Sequence, residues 1–224
     1  MENKNIIIIL IAIIVVLAIV LVGAYMYLYV PYENTARAES FDKNLKNASS
    51  TNAEITSISE QFNKQNNTNV DTLIKTINDE ISPKYSEEIS KLSEAEKFTN
   101  DKNETMKKVK TDYINFQKKR VEHESQTANG TIKFYKAYAQ YLKGEKSPQD
   151  AQNSINNASQ ELANAQNELN ADYTNIRNLL KDNPDFNATL HNLNLTSPFY
   201  GEMPQQNATN ATNATNATNA TPQG

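Results

Sequence analysis

The residues whose type and spacing most clearly suggest a chemical role are asparagines in the acceptor pattern for N-linked glycosylation, Asn-x-Ser/Thr. The pattern occurs twelve times, whereas an Asn-rich chain of this length would produce roughly five copies by chance. The candidate acceptors are Asn47, Asn66, Asn103, Asn129, Asn157, Asn187, Asn194, Asn207, Asn210, Asn213, Asn216 and Asn219. The last five belong to successive Asn-Ala-Thr units, for which simple repeat expansion is the competing explanation. The sequence therefore predicts glycosylation, most densely at the C-terminal end.

Residues for catalysis or metal binding are scarce. The chain has no Cys, so it offers no thiolate nucleophile, no thiolate ligand and no disulfide. A carboxylate di-metal site needs Glu three residues before His on a helix, but Arg120 precedes His123 and Ala188 precedes His191 at that spacing. No glycine-rich phosphate loop, nucleophile elbow or calcium loop occurs. We expect no enzyme, no cofactor and no metal site, and for His123 a structural role, with a polar-layer residue or a pH-responsive group as the alternative.

The charge balance argues against nucleic acid as a partner. The formal net charge of the 224 residues is -4, and the charged residues are spread along the chain. A basic face that would gather phosphates is therefore not expected.

A long apolar segment near the N-terminus predicts a membrane anchor. Every residue from Ile6 to Val22 is apolar, and the run continues to Val30. A helix of about 25 residues spans roughly 37 Å, which exceeds the hydrocarbon core of a bilayer. We predict a transmembrane signal-anchor over residues 6–30, with a signal peptide cleaved at about Ala24 as the alternative.

The orientation of this anchor depends on the glycosylation sites, because the flanking charges lean the other way. Lys4 stands before the anchor. Arg37, Lys43 and Lys46 follow it, and positive charge normally marks the cytoplasmic side. Glycans are added on the opposite side, so occupied acceptors require a cytoplasmic N-terminus. We expect residues 1–5 in the cytoplasm and residues 31–224 outside the cell.

The residues after the anchor predict an all-α fold. Apolar residues recur at steps of three and four, without the alternation of a strand. The predicted helices cover residues of about 35–65, 70–99, 103–143 and 148–182. Short breaks between them favour antiparallel neighbours. We expect an elongated antiparallel four-helix bundle over residues 31–182, with a long coiled-coil hairpin as the alternative.

Local signals refine two of these helices. The fourth begins with Ser147 as N-cap, Pro148 at the first helical position and Asp150 in the first turn. Its seam alternates Ala with larger aliphatic residues, a pattern that lets a neighbouring helix approach closely. Pro83 could split the second helix, but the apolar stripe keeps its phase through this position. We therefore predict one kinked helix there.

The C-terminal residues 183–224 carry few charges, four of the seven prolines and the repeat. This composition predicts a disordered tail that starts near the anchor, with docking of its apolar residues on the bundle as the alternative. The whole pattern favours a single-pass, membrane-anchored cell-surface glycoprotein with a helical spacer or docking module. An extracytoplasmic ligand-binding or sensor module that signals through a partner membrane protein is the alternative. The expected partners are the lipid bilayer and other surface or membrane proteins, and the oligomeric state stays open.

Overall fold

A computed structural model describes residues 30–64 and 69–203, which form helices packed as a bundle. The helices are α1 (Val30–Lys64), α2 (Val70–Thr76), α3 (Ser82–Glu96), α4 (Glu104–Leu142), α5 (Pro148–Asp182) and α6 (Pro184–His191), and a 3-10 turn covers Ser197–Tyr200. The all-α prediction is confirmed. The predicted anchor, Asn66 and the Asn-Ala-Thr repeat lie outside the described residues. Within the described ranges, no helix combines the length and the apolar character needed to cross a membrane.

Side chains at the helix starts explain why these helices begin where they do. The side-chain oxygens of Asn69 and Asn103 each accept hydrogen bonds from two backbone N–H groups of the following turn. The Ser147 hydroxyl accepts from the N–H of Asp150 at 3.2 Å, and Pro148 occupies the first turn. These N–H groups have no partner within their helix, so each cap stabilises its start. The predicted starts of α2, α4 and α5 are confirmed.

A π-helical segment, Ile77–Ile81, joins α2 to α3 without a break. The N–H of Ser82 donates to the carbonyl of Ile77, five residues back, which is the π pattern. Pro83 follows directly, and a proline lacks an N–H and crowds the carbonyl four residues before it. The wider turn relieves this crowding. The prediction that one helix runs through Pro83 is confirmed, because the π segment joins α2 to α3 without a break.

Consecutive arms of the bundle run antiparallel. Residue numbers rise on one helix as they fall on its neighbour, both between α1 and α3 and between α4 and α5. The contacting pairs are Glu54 with Lys84, Asn52 with Glu88, Lys133 with Glu161, and His123 with Asp172. Packing is extensive between α1 and α3, α3 and α4, and α4 and α5, whereas few direct contacts join α1 to α5. A groove is therefore left between α1 and α5.

The prediction of a disordered tail is wrong for residues 183–203, because this segment fills the groove between α1 and α5. We call residues 184–201 the C-terminal strap. Its anchors Phe186, Leu190, Leu195 and Phe199 are between 0% and 8% exposed. Each large apolar side chain contributes about 1.5–3 kcal/mol when buried, which offsets the entropy lost on ordering the segment. The docking alternative is the correct one for these residues.

The strap leaves the bundle partway along its length. Thr196 contacts Ser49 of α1, and Arg177 of α5 donates to the carbonyl of Gly201 at 3.2 Å. Ser49 lies roughly 30 Å along α1 from Val30 at the usual helical rise. The strap therefore turns back along the groove, and the described residues end partway along the bundle. The prediction that the Asn-Ala-Thr repeat starts near the anchor concerns residues outside the described ranges.

The apolar core forms two clusters with polar residues between them. The larger cluster includes Phe41, Leu45, Leu92, Tyr113, Ile114, Ile176 and the strap anchors, and the smaller one contains Ile55, Ile77 and Ile81. Along α1 the buried residues run from Leu45 through Asn52 to Ile55. The polar residues thus form a layer across the middle of the bundle.

Candidate functional site

The buried polar layer is built from three arms of the bundle. Asn52 comes from α1, Glu88 from α3, and Gln117 and Arg120 from α4, and none is more than 3% exposed. Gln117, Arg120 and Glu124 are spaced by three and four residues, so they share one face of α4. This face points to the groove that the strap fills.

Arg120 is the centre of the layer. Its Nε donates to Gln117 Oε1 at 2.8 Å, and its Nη1 donates to both carboxylate oxygens of Glu124, each at 2.8 Å. Its Nη2 donates to Glu88 Oε1. The guanidinium carbon also lies 5.3 Å from the centre of the Phe199 ring of the strap. The planar fork of the guanidinium therefore joins α3, α4 and the strap at one point.

The strap is bound into the same layer by hydrogen bonds. The Phe199 carbonyl accepts from the Tyr113 hydroxyl at 2.8 Å and from Gln117 Nε2 at 3.2 Å. The Thr196 hydroxyl donates to Asn52 Oδ1 at 3.1 Å. The layer's geometry thus depends on the strap being in place.

The electrostatics of the layer centre on two carboxylates and one cation. Burial raises the pKa of Glu88 to about 7, and the nearby Glu124 adds to this, while Arg120 and the Asn52 amide act in the opposite direction. Burial alone would lower the pKa of Arg120, but Glu124 and Glu88 together raise it above its usual range. Arg120 therefore stays charged, and a proton on Glu88 relieves the excess of negative charge.

The tyrosines of the layer act as hydrogen-bond donors. The Tyr173 hydroxyl donates to Glu124 Oε1 at 2.7 Å, and burial, reinforced by Glu124, raises its pKa. Burial likewise raises the pKa of Tyr113. Within the described part of the chain, every buried side-chain nitrogen and oxygen has a hydrogen-bond partner. The arrangement is a closed network that locks helices together, and its donors and acceptors are already engaged with one another.

His123 lies beside this layer, at the contact between α4 and α5. Its Nδ1 is 2.6 Å from Asp172 Oδ2, and its Nε2 is 3.0 Å from Glu168 Oε2. Each ring nitrogen therefore lies against one carboxylate oxygen of α5. The other histidine, His191, belongs to the strap, where its ring stacks on the Tyr200 ring with the two ring centres 4.5 Å apart. Among the described residues, no group of three or more His, Cys, Asp or Glu side chains could hold a metal ion.

The candidate glycosylation sites that the structure describes lie mostly on the surface. Asn47, Asn103, Asn129, Asn157 and Asn194 are exposed, and Asn187 is half-buried. Asn103 uses its side-chain oxygen to cap α4, which leaves its nitrogen directed away from the cap. The remaining candidates, Asn66 and Asn207 to Asn219, lie outside the described residues. The acceptors within the described residues are not brought together into one site.

Only part of the buried polar layer could be predicted from the sequence. Asn52 interrupts an apolar stripe, and this signal marks it as a buried polar residue. Gln117, Arg120 and Glu124 also recur at helical spacing, but charged residues at such steps usually form a solvated face. The strap that covers them has no periodic signal.

Comparisons with known proteins do not identify a family: no protein-family model, no curated protein and no solved structure matches the chain. The inference of function therefore depends on the fold and on the arrangement of the side chains.

Proposed function

We propose that the chain is a single-pass, membrane-anchored cell-surface glycoprotein whose helical bundle is a spacer or docking domain. Its N-terminus would be cytoplasmic and its bundle extracellular. The observation that favours a spacer over a ligand sensor is the position of the strap. A bundle sensor holds its ligand between helices. Here the groove between α1 and α5 is filled by Phe186, Leu190, Leu195 and Phe199 of the chain itself.

The shape of the bundle supports a spacer. The finer architecture that we propose is an elongated antiparallel four-helix bundle, in which α2, the π segment and α3 form one arm. The longest helix, α4, has 39 residues. At the usual rise of an α-helix it extends about 58 Å. A body of this length would hold a docking surface well away from the bilayer.

The distribution of acceptors supports a glycosylated surface. The exposed candidates are spread over α1, α4, α5 and the strap rather than gathered in one place. Because the strap leaves the bundle partway along, the Asn-Ala-Thr units would begin on the side of the bundle. Glycans there would form a hydrated sleeve around the domain.

Protein isolated from native membranes tests this proposal. We expect glycopeptides that include Asn207 to Asn219, and protease digestion of the bundle from outside intact cells. Unmodified acceptors would contradict the glycoprotein assignment, and digestion only after the membrane is permeabilised would contradict the orientation. A small molecule that raises the melting temperature while it displaces the strap would favour the sensor alternative.

A further inference from the structure

A second feature lies at the end of the bundle where α4 turns into α5. A groove of about 230 Å³ runs between these helices. Ala137 and Ala158 line it and are buried. Nearby, a Cβ added at Gly130 would lie 3.4 Å from Leu162, so small residues hold the two helices close together along this stretch. Ala137 and Ala158 therefore form the base of the groove, and longer side chains line its sides.

Three lysines line the groove. Lys133 and Lys136 come from α4, and Lys146 comes from the turn before α5. Glu161 is the one carboxylate that lines it, and it lies 2.5 Å from Lys133 Nζ. Lys146 Nζ donates to the Ser154 hydroxyl at 3.0 Å. The lining of the groove therefore includes three lysines and one carboxylate, and it is locally positive on a chain whose net charge is -4.

We propose that this groove binds an anionic group of the phosphate or sulfate class. A lysine ammonium binds phosphate as a compact point charge, and its three N–H donors can be directed at different oxygens of a tetrahedral anion. Gln140 and Asn157 line the same groove, and their side-chain amides are neutral donors. Because the groove is open to solvent, the oxyanion can be free or carried on a polymer.

The groove and one candidate glycosylation site overlap. Asn157 lines the groove, so a glycan on Asn157 would cover it. Anion binding and glycosylation at Asn157 therefore exclude each other. For this reason, the test uses full-length chain in non-ionic detergent from a host that does not add N-glycans.

Calorimetric titration with inorganic phosphate and with polyphosphate tests the site. We expect the K133Q/K136Q/K146Q variant to bind polyphosphate at least about eightfold more weakly, because each of three exposed ionic contacts contributes roughly two- to fivefold. The matched control is K97Q/K108Q/K181Q, which removes the same charge from exposed lysines outside the groove. We expect the affinity of this control to change less than threefold.

A gain of affinity provides a second readout. Replacing Glu161→Gln removes the carboxylate that competes for Lys133, so we expect polyphosphate binding to strengthen roughly two- to fivefold. Glu104→Gln changes the net charge equally at an exposed residue that does not line the groove, and should leave the affinity unchanged. Binding of both probes would assign a free oxyanion, and binding of polyphosphate alone would assign a polymer. No binding of either probe, or an equal loss in the control triple variant, would overturn the proposal.

Discussion

Replacing Arg120→Met should destabilise the bundle by about 3–5 kcal/mol, because it leaves buried carboxylates without their cation. Arg120 and Glu88 are both 0% exposed, and Glu88 has no access to water that could replace the guanidinium. Methionine fills much of the volume, so the cost reflects the unpaired charge rather than a cavity. The measurement is urea unfolding of the full-length chain in detergent, followed by circular dichroism at pH 7.

The same layer predicts how stability depends on pH. The pKa of Glu88 is raised from 4.5 to about 7 in the folded chain. The folded state therefore holds a proton that the unfolded state has lost, so stability is fully present below about pH 4.5 and falls as the pH rises through 7. The fall is up to about 3 kcal/mol. In the R120M variant, the cation that lowers this pKa is gone, so the loss should extend to higher pH.

A second substitution separates this explanation from simple loss of packing. Glu88→Gln keeps the shape of the side chain and removes its charge. We expect E88Q alone to flatten the pH dependence between 5 and 8, and R120M/E88Q to recover at least half of the stability lost in R120M. An R120M variant that is equally unstable at pH 5 and pH 8, with no rescue by E88Q, would refute the reasoning.

Three further predictions concern the strap and the helix ends. Phe199→Ala should cost about 3–5 kcal/mol in urea unfolding, because the ring is fully buried beneath Arg120. Gly201→Ala should destabilise the chain by about 1–3 kcal/mol, since Gly201 has φ +75° and an added Cβ would lie 2.6 Å from the Tyr173 carbonyl oxygen. Its matched control is Gly144→Ala, where φ is +68° and nothing lies within 4 Å; similar losses in both variants would show that backbone strain alone matters. Ser147→Ala should lower the melting temperature by removing the cap of α5, at a cost of about 1 kcal/mol.

The starts of α2, α4 and α5 are readable from the sequence because they depend on neighbours along the chain, whereas α6 was not predicted. Apolar residues at steps of three and four predict the helical faces, and Asn103 and Ser147 cap helices through bonds to residues two or three positions away. The passage of one helix through Pro83 follows from the phase of the apolar stripe. The π segment that accommodates Pro83 does not follow from this phase, because the stripe shows only which residues share a face.

The polar layer could be predicted only in part. Asn52 stands out because it breaks an apolar stripe, but nothing next to it in sequence shows that Glu88, 36 residues away, is its partner. Arg120 resembles the many exposed cations of the chain until α3 and the strap cover it. A charged residue on a helix is buried or solvated according to what packs over it, and local pattern does not encode that choice.

The sequence by itself therefore determined the all-α class and the starts of α2, α4 and α5, since periodicity and short-range hydrogen bonds decide them, and it located the candidate acceptors. Only the tertiary structure decided that residues 184–201 are ordered, because their four apolar anchors gain stability from a groove formed by α1 and α5. It also decided which charged side chains are buried and which lysines line the groove with Ala137 and Ala158. The Thr196 contact with Ser49 spans 147 residues, and such pairings exist only after the helices have assembled.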